Sequence, residues 1–226
     1  MNKALSISGQ QRFVEEGYRS LARNLKGFDE YDVFIHTWES DEPQDIQLYD
    51  PCRLVIDKPI KFSSSNVHYP MFYSMKQSLK LIEDYPKKYD CILRTRFDVF
   101  LLEHFDVEPH DMNNGVFSPD ICDNPNVISD WFNFGNHTNI MRYMTIYDNI
   151  TRYGEKGVNI HSGEELICHH LRNCHGVNLI KVPNVHLLLI RDDQHAQAWH
   201  KTWCRVSDLP VGDDEIENWK QHLLNS

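Results

Sequence analysis

No apolar run in the chain approaches the roughly 20 residues needed to cross a bilayer as a helix. The opening stretch, MNKALSISGQ, also lacks the apolar centre of a signal peptide. No transmembrane segment is therefore expected, and a cytoplasmic protein is. Positive charge is scarce: 23 Lys and Arg face 33 Asp and Glu, a formal charge of -10. That balance argues against a nucleic acid polymer or an anionic membrane surface as partner, so an anionic small molecule would have to meet a local group of arginines. Short, regular cysteine spacings are missing as well. The six cysteines, at positions 52, 91, 122, 168, 174 and 204, are scattered, and a chain of this length needs no staples, so reduced thiols are expected. Two glycosylation acceptor patterns, Asn136-His137-Thr138 and Asn149-Ile150-Thr151, would matter only in a secretory compartment. There is no internal repeat and no low-complexity tract.

What remains is a chain of 226 residues, 41% hydrophobic and 12% aromatic, enough for one domain over 1–226 with a real core and a peripheral C-terminal segment from about residue 205. KALSI, DVFIH, RLVID, YDCILRTR, GVFS, NLIKV and VHLLLI read as strands. A helix is expected after SGQQR, with Phe13, Tyr18, Leu21 and Leu25 near helical spacing. A second runs from about Met71, with Met71, Met75, Leu79 and Ile82 in one stripe and Pro70 suited to its first turn. Two more are expected near 137–150 and 163–173. SDWFNFGN reads as a loop. Apolar strands without alternation, separated by helices, point to an α/β fold with a mainly parallel sheet flanked by helices.

In such sheets ligands gather beyond the carboxyl ends of the strands. The polar residues there are Ser8, Gly9, Gln10 and Arg12; His36, Thr37, Trp38 and Glu39; Arg94, Arg96 and Asp98; and Arg191 with Asp192. Gly9 allows close backbone approach, and Arg12 suits a phosphate or base at a helix start, although the same residues suit an ordinary strand-to-helix turn. Trp38 suits either base stacking or the rim of the core. Period two along a regular strand puts Arg94, Arg96 and Asp98 on one face; the plain alternative is an Arg–Asp ion pair that ends the strand.

YDCILRTRFDVFLLE resembles the aspartate-motif strand of nucleotide-sugar glycosyltransferases of the GT-A fold. ALSISGQQR, DVFIHTW, YPMFYSMKQSLKL, SDWFNFGN and GEELICHHL are similar, in the same order, to segments of small bacterial and large-virus transferases that build surface glycans. The resemblance spans roughly residues 3 to 191. It implies a single GT-A-like (Rossmann-like) domain, a nucleotide-sugar donor and a glycan acceptor, in the bacterial cytoplasm or, for a viral protein, that of the host. It also implies Mn²⁺ or Mg²⁺ at Asp98, and a donor site drawn from Ser8, Gly9, Gln10, Arg12, Trp38, Tyr73, Arg94, Arg96 and Arg191. One departure stands out: Arg96 occupies the position of the motif's first aspartate. Such a transfer must stabilise charge on a departing diphosphate, which a metal ion or fixed cations can do, so on this reading Arg96, with Arg94, can supplement or replace part of the metal's work and the metal can be dispensable.

A transfer with inversion also needs a carboxylate base near the acceptor hydroxyl. Asp130 and Glu164 are the candidates, because Ser162 and Glu165 form a capping box that gives Glu165 a structural task. In CHHLRNCH, helical spacing pairs His170 with Cys174 and Cys168 with His175, two pairs rather than a four-ligand zinc cage, and a face with His exposed and Cys buried is expected. Two other functions fit the same sheet: a metal-dependent nucleotidyltransferase or hydrolase, weakened by the lack of a Gly-rich run ending in lysine, and a catalytically silent sugar-binding module.

Overall fold

The computed structural model describes residues 1–61, 68–120, 124–183, 185 and 187–189. Arg191, Asp192 and the C-terminal segment from 205 lie outside them. Nine strands form among the described residues: β1 (Lys3–Gly9), β2 (Tyr31–Trp38), β3 (Arg53–Asp57), β4 (Cys91–Thr95), β5 (Val99–Leu101), β6 (Val116–Pro119), β7 (Asn133–Gly135), β8 (Leu179–Val182) and β9 (Leu187–Leu189). Seven make one sheet in the order β3-β2-β1-β4-β7-β6-β8, and β5 pairs with β9 apart from it. The pairings β1–β2, β1–β4, β2–β3 and β6–β8 are parallel; β4–β7 and β6–β7 are antiparallel. The fold is therefore α/β, with a mostly parallel mixed sheet flanked by helices.

Alternate residues of the strands face opposite layers, as the pleat requires. Leu5 and Ile7 of β1 and Leu93 of β4 join Val14 and Leu21 of α1 (Val14–Asn24) in one core cluster. Ala4 and Ile92 join the other, with Phe72, Met75, Leu79 and Ile82 of α2 (His68–Glu83). The methionine and leucine stripe expected of that helix is core, although α2 begins three residues before Met71, with Pro70 in its first turn. Tyr143, Ile146, Ile150, Leu166 and Leu171 complete this second cluster. They come from the segment that holds α3 (His137–Met141), α4 (Ile146–Glu155) and α5 (Gly163–Cys168). None of the described helices is long and apolar enough to cross a membrane.

Several expectations need correction. Phe13 is not helical: it adopts φ 54°, ψ 40° just before α1 and sets its ring edge-on to Phe100. SDWFNFGN is not all loop, because Asn133–Gly135 supplies the strand that slots between β4 and β6; three residues are too few to show an alternation. The helix near 137–150 is broken by a 3-10 turn over Arg142–Thr145, and the one near 163–173 widens into a π turn over His169–Cys174. Winding to i+5 changes the pairs in that turn. His169 meets Cys174 (3.6 Å) and the His170 ring meets His175 (4.6 Å between centroids). Cys168 is buried and His175 exposed, as expected of the face, whereas His170 is buried and Cys174 exposed, the reverse. Tyr153 and the Arg142 carbonyl occupy the two nitrogens of His170 (2.6 and 2.9 Å). The four described cysteines are free.

Gly17 brings α1 against the turn after β4. A Cβ at that position would lie 2.3 Å from the Phe97 carbonyl oxygen and 3.0 Å from the Tyr49 hydroxyl. Gly17→Ala should therefore lower stability by about 1–3 kcal/mol, the usual penalty for overpacking. Urea denaturation of Gly17→Ala against the unsubstituted chain measures that cost.

Candidate active site at the switch point of the sheet

Strand order reverses between β1 and β4, since β2 and β3 lie to one side of β1 and β4 to the other. At such a point the connections leave in opposite directions and open a crevice beyond the strand ends. Gly9 closes β1 there with φ 126°, a conformation glycine adopts without strain, and no atom lies within 4 Å of where a Cβ would stand. Ser8 is buried, Gln10 exposed, and Arg12 half-buried, its guanidinium without a hydrogen-bond partner among the described residues.

The end of β2 is tied to β1 and α2. Gly9 N–H donates to Ser74 Oγ (2.9 Å), and Thr37 Oγ1 donates to the Gly9 carbonyl (2.7 Å). His36 Nε2 donates to Asp57 Oδ2 (3.1 Å), which leaves Nδ1 to accept from the Ser74 hydroxyl (2.8 Å). Burial, outweighing Asp57, pushes the His36 pKa down and keeps the ring neutral. Trp38 is buried, stacked on Tyr73 (5.4 Å, 25°) with its edge on His36. The Tyr73 hydroxyl donates to Asp57 (3.4 Å). Trp38 is thus the buried residue at the rim of the core that the plainer reading gave, packed on Tyr73, and Asp57, which the sequence reading missed, anchors both Tyr73 and His36.

The three charged residues of RTRFD separate. Strand β4 stops at Thr95, so the regular alternation expected through Asp98 does not hold. Arg94 is fully buried on the α2 side of the sheet. Its fork donates to Asn133 Oδ1 (2.8 Å) and to the Asp130 carbonyl, and its guanidinium lies over the Tyr143 ring (5.6 Å). Burial lowers its pKa from an ordinary value far above neutral. With no surface to offer a donor, Arg94 holds the Asp130 segment instead, a correction to its expected role.

Arg96 and Asp98 fall in the turn and close a two-pronged ion pair. Nε donates to Oδ1 (2.8 Å) and Nη2 to Oδ2 (2.6 Å), with the side chains 18% and 5% exposed. The ion pair that ends a strand, the plainer of the two readings, is the geometry found. It also bears on the metal. Both oxygens of Asp98 face a fixed cation, and no group of three His, Cys, Asp or Glu among the described residues could hold an ion. The donor set around Asp98 does not fit Mn²⁺ or Mg²⁺, which need several oxygen ligands.

The Asp130 side chain lies against Gly163, the residue before Glu164. The Asp130 carboxylate, 6% exposed, has an Oδ1 with no hydrogen-bond partner. A Cβ on Gly163 would lie 3.3 Å from Asp130 Oδ2 and 3.3 Å from His68 Nδ1, so Gly163 leaves the space between them open. Nε2 of His68 donates to the His161 carbonyl (2.9 Å). Ser162 Oγ accepts the Glu165 N–H as expected of the cap (3.2 Å), while Asn159, not the Ser162 backbone, engages the Glu165 carboxylate. Glu164 accepts from the Ser162 hydroxyl (3.2 Å). Burial first, then the Asp130 charge, pushes the Glu164 pKa up, with His68 and the local hydrogen bonds pulling against them. Asp98 first and Asp130 after it raise the Arg96 pKa against the cost of burial. His68 was missed because SSSNVHYP shows only a helix start.

Neither a scan against protein-family models nor a search of curated proteins finds a match to the chain.

The raised Glu164 pKa gives a signed pH effect. The folded carboxyl holds its proton above the ordinary 4.5 while the unfolded chain does not. Stability therefore falls as pH rises from about 4.5 through the folded value. Glu164→Gln should flatten that decline, and Asp130→Asn should bring the Glu164 titration down without fully normalising it, since burial remains. Denaturation between pH 4 and 8, with ¹³C NMR of the Glu164 carboxyl, checks both.

Proposed function

We propose that the chain is a glycosyltransferase of the GT-A kind, moving a sugar from a nucleotide diphosphate donor to a glycan hydroxyl. The observation that carries the reading is a partly exposed arginine, Arg96, just past the carboxyl end of β4 where strand order reverses, with the buried Asp130 carboxylate against Gly163, the residue before Glu164.

Glu164, more exposed than Asp130, is the base. A carboxylate with a raised pKa is the stronger base once ionised, so it takes the proton of the acceptor hydroxyl as the oxygen attacks the anomeric carbon. The bond to the diphosphate oxygen breaks, and its electron pair leaves with the nucleotide. Asp130 keeps the Glu164 pKa up. Gly9, Gln10 and Arg12 line the approach of the phosphates, with Trp38, Tyr73 and Asp57 as the platform on which the base rests. This arrangement supports a single displacement with inversion.

The closed Arg96–Asp98 pair favours one other reading, a sugar-binding module without turnover. Nucleotide release from a panel of nucleotide sugars, with a glycan acceptor, separates the two. Glu164→Gln should lower kcat by about 100-fold or more, the usual share of a general base, with nucleotide affinity kept. Sugar binding without turnover of any donor, with or without Mn²⁺, would leave the binding module.

A further inference from the structure

Whatever the donor, its departing diphosphate takes the electron pair of the broken anomeric bond and needs positive charge beside it. We propose that Arg96 is that charge, that no metal ion shares the task, and that Asp98 is the positioning residue of Arg96 rather than a metal ligand. The inference rests on the transferase reading.

Four observations converge on it. Nε and Nη2 of Arg96 are engaged by Asp98, while Nη1 has no hydrogen-bond partner among the described residues and the side chain keeps 18% of its surface. Arg96 follows Thr95, whose register partner on β1 is Ile7, so it stands just past the carboxyl ends of the two central strands, on the same side of the sheet as Gly9, the last residue of β1. The turn carrying it is stiff: Phe97 is fully buried, and Gly17 of α1 sits against its carbonyl. A divalent ion at Asp98 would have to displace the fork and would leave a guanidinium beside a second cation, a like-charge contact in a poorly hydrated site. A pre-set guanidinium suits phosphate recognition because its planar fork can hold a carboxylate on one edge and offer N–H groups on another. The diphosphate stays anionic and no proton changes hands.

Calorimetry on the full chain with UDP, GDP, ADP, CDP and dTDP, each in EDTA and in MnCl₂, tests this. One nucleoside diphosphate should bind with the same affinity in both. Arg96→Ala should weaken it by about 10- to 100-fold, the loss expected of a charge-assisted hydrogen bond. Affinity for the parent nucleoside should stay the same in Arg96→Ala, which a merely structural role would not predict. Arg96→Lys should keep part of the preference for the diphosphate. Asp98→Asn should weaken diphosphate binding in EDTA as well, with Asp98→Glu recovering part. Binding that requires Mn²⁺ and disappears in Asp98→Asn would overturn the inference and leave the transferase reading standing. Binding in EDTA that Arg96→Ala does not change would overturn it too. No diphosphate bound in either condition would remove both.

Discussion

A guanidinium with no exposed surface sits on the central sheet, and the layout of the site depends on it. Arg94 has no carboxylate in ion-pair contact among the described residues. Its charge is met by the Asn133 amide oxygen, the Asp130 carbonyl, the face of Tyr143 and the nearby Asp130 carboxylate. Burying an unpaired charge costs several kcal/mol in general, so the chain must bring these partners to Arg94 together. In doing so it pairs Asn133 with Arg94 across β4 and β7 and holds Asp130 where its carboxylate lies against Gly163, the residue before Glu164. The buried cation sets the position of the Asp130 carboxylate although it touches no crevice.

The next two charges of the same motif do the opposite kind of work. Once β4 ends at Thr95, Arg96 and Asp98 neutralise one another over a spacing of two residues. The chain can then turn with both largely out of water and re-enter an apolar strand at Val99. The crowding of α1 through Gly17 leaves that turn little room to move. One stretch of five residues thus supplies a buried structural cation and a strand-ending ion pair.

The sheet was largely legible. Strands β1, β2, β3 and β4 and helix α2 carry unbroken apolar runs or a long apolar stripe, and burial on both faces of a parallel sheet leaves that trace in the sequence. Strand β7 was not legible: three residues carry no period, and they pair because Arg94 needs Asn133 opposite it. The π winding after α5 was equally hidden, since His170 is drawn in by Tyr153 and the Arg142 carbonyl, contacts across 17 and 28 residues. At the site, Gly9, Trp38, Arg96 and Asp98 could be named from their places after strands, and Tyr73 from its place on helix α2. Asp57 and His68 could not, because an acid at a strand end and a histidine at a helix start are ordinary residues until their neighbours are known.

Composition and periodicity alone determined an acidic α/β chain with an apolar, mainly parallel sheet and polar residues gathered at its carboxyl ends. Those properties follow from local steric preference and from the burial of apolar surface, both of which act over a few residues. Only the tertiary structure decided which charge meets which. Arg94, Arg96 and Asp98 looked alike as residues of one strand face, but the electrostatic cost of a buried charge depends on partners 36 to 39 residues away. That cost sends Arg94 into the core and leaves Arg96 and Asp98 to each other at the crevice.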